Sequence, residues 1–491
     1  MTEQAPPDPI PARPRKRRRG GIGLWFVISM VLIGGLAAFA TLAVSGRPIK
    51  LPVWAVAEVE ARLNSALSPA TSDLSLSVGA IELMVDRDWI PRLALEDLRI
   101  LQGNGTALMT LPEVRTSFDP KALLNGNIRP KSLRIVGGRF AIKRNADGRL
   151  DLDFGGKAST TNWRSVADVL DAVDKAFSDP ALAQLTTIEA EALTLIMSDA
   201  RSGQQWQAGD GRLVLENRSG ELAAQVSLSL AVDQTRPARI VLTAVSDKAT
   251  SSARLAATVD GIAARDLAAQ SAPLAWLAAL DAPISGRLAA ALDEKGQFGP
   301  LESTLEIGAG VLRPTPQTVP IAFDRAGMTL AYDPAQGRIA ISALSVESPS
   351  LRLAATGQSY IMDKTGASLT GALVGAEPGA FLAQIAFSQV MVDPAGLFEA
   401  PVQFSQGSLD LRLTLKPFAI DVGQLTLTEA DTHVSLNGNI AAGADGWRVA
   451  LDVALDQIQS DKLIALWPVH LVSKTRNWLA LNLWEGTLFD V

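Results

Sequence analysis

The chain has 491 residues, with 47% hydrophobic but only 5% aromatic content, no cysteine, and two histidines, His433 and His470. That excludes disulfides, thiolate metal sites and cysteine nucleophiles, and it argues against a histidine-built metal centre or a Ser-His-Asp triad. The net charge of −6 is uneven, because residues 1–20 balance to +4 and leave −10 for the rest; an acidic body is a poor match for nucleic acid, whose phosphates need clustered Lys and Arg.

Residues 1–21 form a tail too rich in proline (Pro6, Pro7, Pro9, Pro11, Pro14) and polar residues to fold. It ends in Arg15, Lys16, Arg17, Arg18 and Arg19, directly before the uncharged run 22–44. About 20 helical residues cross a hydrocarbon core roughly 30 Å thick, so 22–44 reads as a single transmembrane helix. The flanking basic run sets its topology, with the N-terminus cytoplasmic and the bulk of the chain on the far side. A cleaved signal peptide is the rival, since Ala38-Phe39-Ala40 fits the small-x-small pattern. Apolar residues continuing through Leu42 and Val44 exceed an h-region of about 7 to 15 residues and favour the anchor.

Val53, Val56, Val59, Leu63 and Leu67 recur at helical spacing, with Glu58, Glu60 and Arg62 elsewhere around the wheel. Because the charges are mixed rather than basic, this segment reads as a helix covering the start of a sheet, not one lying on a membrane. Then the period switches to two: Leu74, Leu76, Val78; Ile81, Leu83, Val85; Leu93, Leu95; Leu98, Ile100. Asp119-Pro120 is an N-cap followed by a first-turn proline, and Gly126 fits just past the end of the short helix they open. Ile135, Phe140 and Ile142, then Leu150, Leu152 and Phe154, flank Asn145-Ala146-Asp147-Gly148, which reads as a hairpin turn rather than a calcium loop because the EF-hand glutamate is lacking. Val166, Val169, Leu170, Val173 and Phe177 make a helical stripe ended by Asp179-Pro180. Alternation returns from Leu193 to Leu455, including Val226, Leu228, Leu230; Leu301, Leu305, Ile307; Leu409, Leu411, Leu413, Leu415; and Val449, Leu451, Val453. Two helical interruptions are expected, around Arg265 to Leu280 and Phe381 to Phe398.

The expected organisation is a cytoplasmic tail (1–21), a transmembrane helix (22–44), a β module with its covering helix (47–160), a helical insertion (161–190), an extended β meander (191–458), and a helical Trp/Arg stretch with the start of a further strand (459–491). The fold class is mainly β. So many one-sided strands must be covered by a second sheet, by barrel closure, or by curling into a trough around an apolar ligand, and periodicity leaves the three open.

The stretches IPRLALEDLRI and FDPKALLNGNIRPKSLRIVGGRFAIKRNADGRLDL, behind a basic-flanked anchor and covering helix, resemble the N-terminal module of the AsmA-like envelope proteins, the family of TamB and YhdP. LIALWPVHLVSKTRNWLALNLWEGTLFDV is similar to the YhdP-type signature, with Trp467, Pro468, Arg476, Trp478 and Gly486 at its characteristic positions; Asp119, Pro120 and Gly126 carry the N-terminal part. The resemblance implies a long antiparallel sheet curled into a chorein-like groove that binds or conducts phospholipid acyl chains between inner and outer membranes. It places the chain in the inner membrane as a single-pass protein with a periplasmic bulk. Leu228, Leu230, Leu305, Ile307, Leu411, Leu413, Leu415, Leu451 and Val453 would line the groove, with Val226 unassigned. Family members of this branch continue past the Arg/Trp signature, so the chain is expected to be an N-terminal portion. The alternative is a structural or assembly factor with a closed β-sandwich core that docks an outer-membrane or other envelope protein. Trp467, Arg476 and Trp478 read as a packed helix with aromatic anchors. No P-loop, HExxH or GxSxG motif occurs, so no enzyme activity, cofactor, metal ligand or nucleic-acid partner is expected.

Overall fold

The computed structural model describes residues 48–67, 74–85, 91–102, 107–118, 130–145, 150–153, 185–200, 203–230, 237–250, 252–295, 297–370 and 377–491, together with Met30, Ile33, Gly34 and Phe177. The basic tail with Arg15, Lys16, Arg17, Arg18 and Arg19, nearly all of 22–44, and Asp119, Pro120 and Gly126 lie outside the described residues. Among the described residues no helix is long and apolar enough to cross a membrane.

Strand β1 (Ile49–Lys50) leads into helix α1 (Val53–Leu67), as the valine spacing predicts. Leu51, Val56 and Val59 pack on Val78, Ile81, Leu95 and Val114 of the first strands. The chain then forms β2 (Leu74–Val85), β3 (Pro91–Gln102), β4 (Ala107–Phe118), β5 (Pro130–Arg144), β6 (Leu150–Asp153), β7 (Thr187–Asp199), β8 (Gln204–Asn217), β9 (Glu221–Leu230), β10 (Ala238–Asp247) and β11 (Ala253–Ala263). A helical interruption follows, α2 (Ala264–Ala268) and a 3-10 helix (Ala272–Ala279), where the sequence expects one. After it come β12 (Leu280–Asp281), β13 (Pro283–Leu292), β14 (Phe298–Ile307), β15 (Gly310–Leu312), β16 (Ile321–Phe323), β17 (Arg325–Asp333), β18 (Arg338–Glu347), β19 (Leu351–Met362), β20 (Ala380–Val392), β21 (Val402–Phe404), β22 (Gln406–Leu415), β23 (Phe418–Glu429), β24 (Thr432–Gly443), β25 (Gly446–Leu455) and β26 (Gln457–Gln459). Helices α3 (Ser460–Leu466) and α4 (Ser473–Asn482) and strand β27 (Thr487–Phe489) complete the described chain.

The expected helix over Phe381 to Phe398 is not there. Phe381 and Ile385 fit a helical spacing as well as a strand, and twelve register pairs between β19 and β20 decide for the strand.

Twenty-two strands form one sheet, in which each long strand pairs with the next, as a meander of one-sided strands does. The exception is β7, which lies parallel to β5, from Ser132↔Thr187 to Arg144↔Asp199. Short β6 folds back antiparallel on the end of β5, so the chain must return to the start of β5 before β7 can begin, and the two strands run the same way. The stretches before and after the expected insertion therefore share one sheet. Small side sheets are built by β12, β15 and β16, and by β26 and β27.

Register places the apolar positions of all these strands on one side. One row runs Leu228↔Ile240↔Val259↔Gly286↔Leu305↔Met328↔Leu344↔Ala355↔Phe387↔Gly407↔Leu427↔Val434↔Leu455, strand after strand. The sheet is neither closed nor strongly curled, which corrects the barrel and the chorein-like trough as expectations. Its apolar face needs no closure where other segments lie on it. Helix α1 covers one end. Leu267, Leu274 and Leu277 of the helical interruption plug the middle against Val259, Ile284 and Leu305, and Leu466 of α3 packs with the Leu427 and Val434 cluster.

Candidate functional site

The nine residues expected to face a ligand all lie on the apolar side of the sheet, but they fall into two environments. Leu230, Leu305 and Ile307 are buried beneath the helical plug, with Leu228 packed against the same cluster. Sealed by the chain's own side chains, Leu230, Leu305 and Ile307 do not offer a surface, which corrects their place in the expected groove, while Leu228 is half-buried. Leu411, Leu413 and Leu415 are half-buried, and Leu451 and Val453 are 39% and 55% exposed.

From β20 to β25 the middle of the face is therefore open, while at one end Leu413, Phe418, Ala442 and Trp447 pack with Ala279 of the plug and Leu312. Ile385↔Leu409↔Leu425↔Leu436↔Val453 and Ala383↔Leu411↔Val422↔Gly438↔Leu451 form two adjacent rows. Every residue in them is half-buried or exposed. The other side of the same strands carries Gln384, Ser408, Asp410, Arg412, Asp421, Asn439, Arg448 and Asp452, all on solvent-facing alternate positions. A shallow depression there is bordered by Gln358 and Gln384, whose amides hydrogen-bond at 3.0 Å, and by Ser408 and Asp410. The contrast is between a continuous Leu/Val/Ile surface and a hydrated one, separated by the thickness of one sheet.

Three hydroxyls lie on the apolar side. Ser303, Tyr332 and Ser359 are buried, and their oxygens have no hydrogen-bond partner among the described residues. Tyr332 and Ser359 both face Ile339 across β18, on neighbouring strands of one row. Burial pushes the Tyr332 phenol above its ordinary pKa, and Asp333 adds to the shift. Tyr332 and Ser359 follow the period-two pattern as ordinary inward positions, so only the register brings them together.

The Trp/Arg stretch is structural at Arg476, which is 4% exposed. Its guanidinium donates to the carbonyls of Trp467 at 3.3 Å and Ile464 at 3.2 Å and pairs with Glu399 at 2.9 Å. It thus holds α3, α4 and the loop before β21 together. Trp467 donates from Nε1 to the Leu471 carbonyl at 2.7 Å, and the Gly486 carbonyl accepts from Ser460 at 3.0 Å. Trp478 is 61% exposed, so it does not act as the expected packed anchor. Pro468 accepts from the Leu471 amide at 3.0 Å.

Among the described residues no group of three His, Cys, Asp or Glu side chains is placed to hold a metal. What the open face can do is desolvate an apolar partner, about 0.8 kcal/mol for each methylene removed from water. No protein-family profile, curated protein or solved structure matches the chain. The functional reading therefore rests on this geometry and on the motifs.

Proposed function

We propose that the chain is a single-pass inner-membrane protein whose periplasmic body binds or conducts phospholipid acyl chains along the open apolar face from β20 to β25. The observation that carries this reading is the pair of half-exposed rows through Leu411 and Leu436, which end in exposed Leu451 and Val453 while the reverse face is polar. A monomeric globular protein buries such a surface or uses it. Binding needs no reacting group: acyl methylenes would lie across the strands, and the polar headgroup would stay in water. From β2 to β25 the strands, about 4.8 Å apart, extend roughly 90 Å, a length suited to reaching away from the anchoring membrane.

The resemblance to AsmA-like proteins supports the same reading. The basic run ahead of 22–44 supports the anchor and its orientation.

A second reading has its own observation. The half of the sheet beneath the plug is filled by the chain's own side chains, as a scaffold that docks an envelope protein would be. Site-specific photo-crosslinking in intact cells separates the two. A photoreactive residue replacing Leu411 or Leu451 in the full chain is expected to capture phospholipid, and one replacing Asp410 or Asp452 is not. Protein adducts without lipid at Leu411 and Leu451 would move the assignment to the docking scaffold.

A further inference from the structure

The large hydrophobic side chains left in water are unevenly placed. Among the described residues from 48 to 241 they are Ile49, Val53 and Trp54, the last two 85% and 76% exposed. All three fall at β1 and the first turn of α1. Leu51, Val56 and Val59 point the other way and pack on the sheet, so the fold does not need the exposed three.

Further along, α1 turns polar and stands in for a strand at the first edge of the sheet. There β1 pairs only with Leu83 and Glu82 of β2. Beyond it Asn64 accepts from the Leu76 amide at 2.6 Å and donates to its carbonyl at 2.9 Å, and Glu60 accepts from Val78 at 3.1 Å. The outer face of this part carries Glu58 and Arg62, both exposed and paired with each other at 2.8 Å. Trp54 and Arg62 are separated by about 12 Å of helix axis at 1.5 Å per residue. One helix thus has an apolar tip and a charged, hydrated body.

The position of that tip in the chain identifies what it meets. The uncharged run ends at Val44, and Ile49 follows it closely. At no more than about 3.6 Å per residue, the link between them spans at most about 18 Å. The headgroup layer beside the hydrocarbon core is itself about 5 to 8 Å deep. Tryptophan is favoured at that level, because its ring buries an apolar body while its N–H stays hydrated. We propose that Ile49, Val53 and Trp54 dock into the headgroup layer of the membrane that holds the anchor, with Glu58 and Arg62 above it in water. This rests on the reading of 22–44 as a transmembrane helix and goes beyond it. A lone anchor would leave the body free to swing on its link. Attachment at the anchor and again at the tip of α1 seats the first edge of the sheet on the bilayer in one orientation.

The absence of cysteine makes a labelling test clean. The full chain carries one cysteine at a time, Leu36→Cys, Ile49→Cys, Val53→Cys, Trp54→Cys, Glu58→Cys or Arg62→Cys, bearing an environment-sensitive fluorophore, in phosphatidylcholine vesicles. Lipids with a nitroxide on the acyl chain or on the headgroup are the quenchers. The label at Leu36 is expected to be quenched from the acyl chain, which reads the anchor by itself. Labels at Val53 and Trp54 are expected to be quenched from the headgroup several-fold more strongly than those at Glu58 and Arg62. With the label at Ile49, the double change Val53→Glu with Trp54→Glu should remove most of the headgroup quenching, while circular dichroism stays unchanged because both side chains are exposed. Quenching at Leu36 with none above the Arg62 level at Val53 and Trp54 would overturn the docking and leave the anchor standing. Quenching at Ile49 that ignores the double change would mean tethering alone and would overturn it too, as would a label at Trp54 shielded from water but not quenched by lipid, the mark of a protein contact. No quenching at Leu36 would remove the anchor and the docking with it.

Discussion

Arg144 and Asp199 close the last rung of the parallel β5–β7 pair and bury their charges against each other, with side chains 8% and 0% exposed. Arg144 Nε donates to Asp199 Oδ1 at 2.9 Å, Nη2 contacts Oδ2, and Nη1 donates to Gln270 Oε1 at 3.2 Å. Gln270 in turn donates to the Asp266 carbonyl at 3.1 Å. One fork of hydrogen bonds thus fastens the non-meander step of the sheet to the plug on its apolar face. Removing one partner leaves the other charge buried and unpaired, so Asp199→Ala should destabilise by about 3–5 kcal/mol. The double change Arg144→Met with Asp199→Leu should recover most of that loss. Urea midpoints of the three proteins measure the difference, and a double variant no better than the single would sink the account.

Asn64 does at the first sheet edge what a strand residue would do. Asn64→Ala strands the Leu76 N–H and C=O, a loss of about 1–3 kcal/mol if water cannot replace the bonds. Hydrogen exchange at Leu76 should accelerate markedly, and exchange in β23 and β24, far across the sheet, should not change.

Gly286 lies in the row beneath the plug. A Cβ there would meet the Thr304 carbonyl oxygen at 2.3 Å, so one backbone must shift. Gly286→Ala should cost about 1–3 kcal/mol by overpacking. At Gly423 the nearest atom would be 3.6 Å away, and Gly423→Ala should be close to neutral. Thermal unfolding of the pair is the check.

Asp266 sits in the plug, and burial raises its pKa, opposed by Arg265 and by a hydrogen bond from Trp206. The folded state therefore holds this proton more tightly than the unfolded chain does. Stability from this group falls as pH rises from the ordinary aspartate value through the raised folded value, and the deficit persists above it. Asp266→Asn should raise the melting temperature at neutral pH. The gain should disappear once the pH is below the ordinary aspartate range. An equal gain at both pH values would mean that packing, not charge, is responsible.

Leu305 and Leu451 show how far the order of residues along one strand reaches. Both stand in runs of period two, and that alone assigns the strands, their apolar side and the polar reverse, because successive residues of a strand point to opposite faces. The valine spacing of α1 and the interruption near Arg265 were equally legible, since each depends on neighbours within a few positions. Yet Leu305 is 1% exposed and Leu451 39%, because a plug built from residues 264–279 covers one and nothing among the described residues covers the other. The parallel β5–β7 step, the strand over Phe381, and the meeting of Tyr332 and Ser359 were likewise decided by the tertiary structure. Each turns on which distant backbone supplies the hydrogen bonds, and alternation along one strand carries no record of its neighbour.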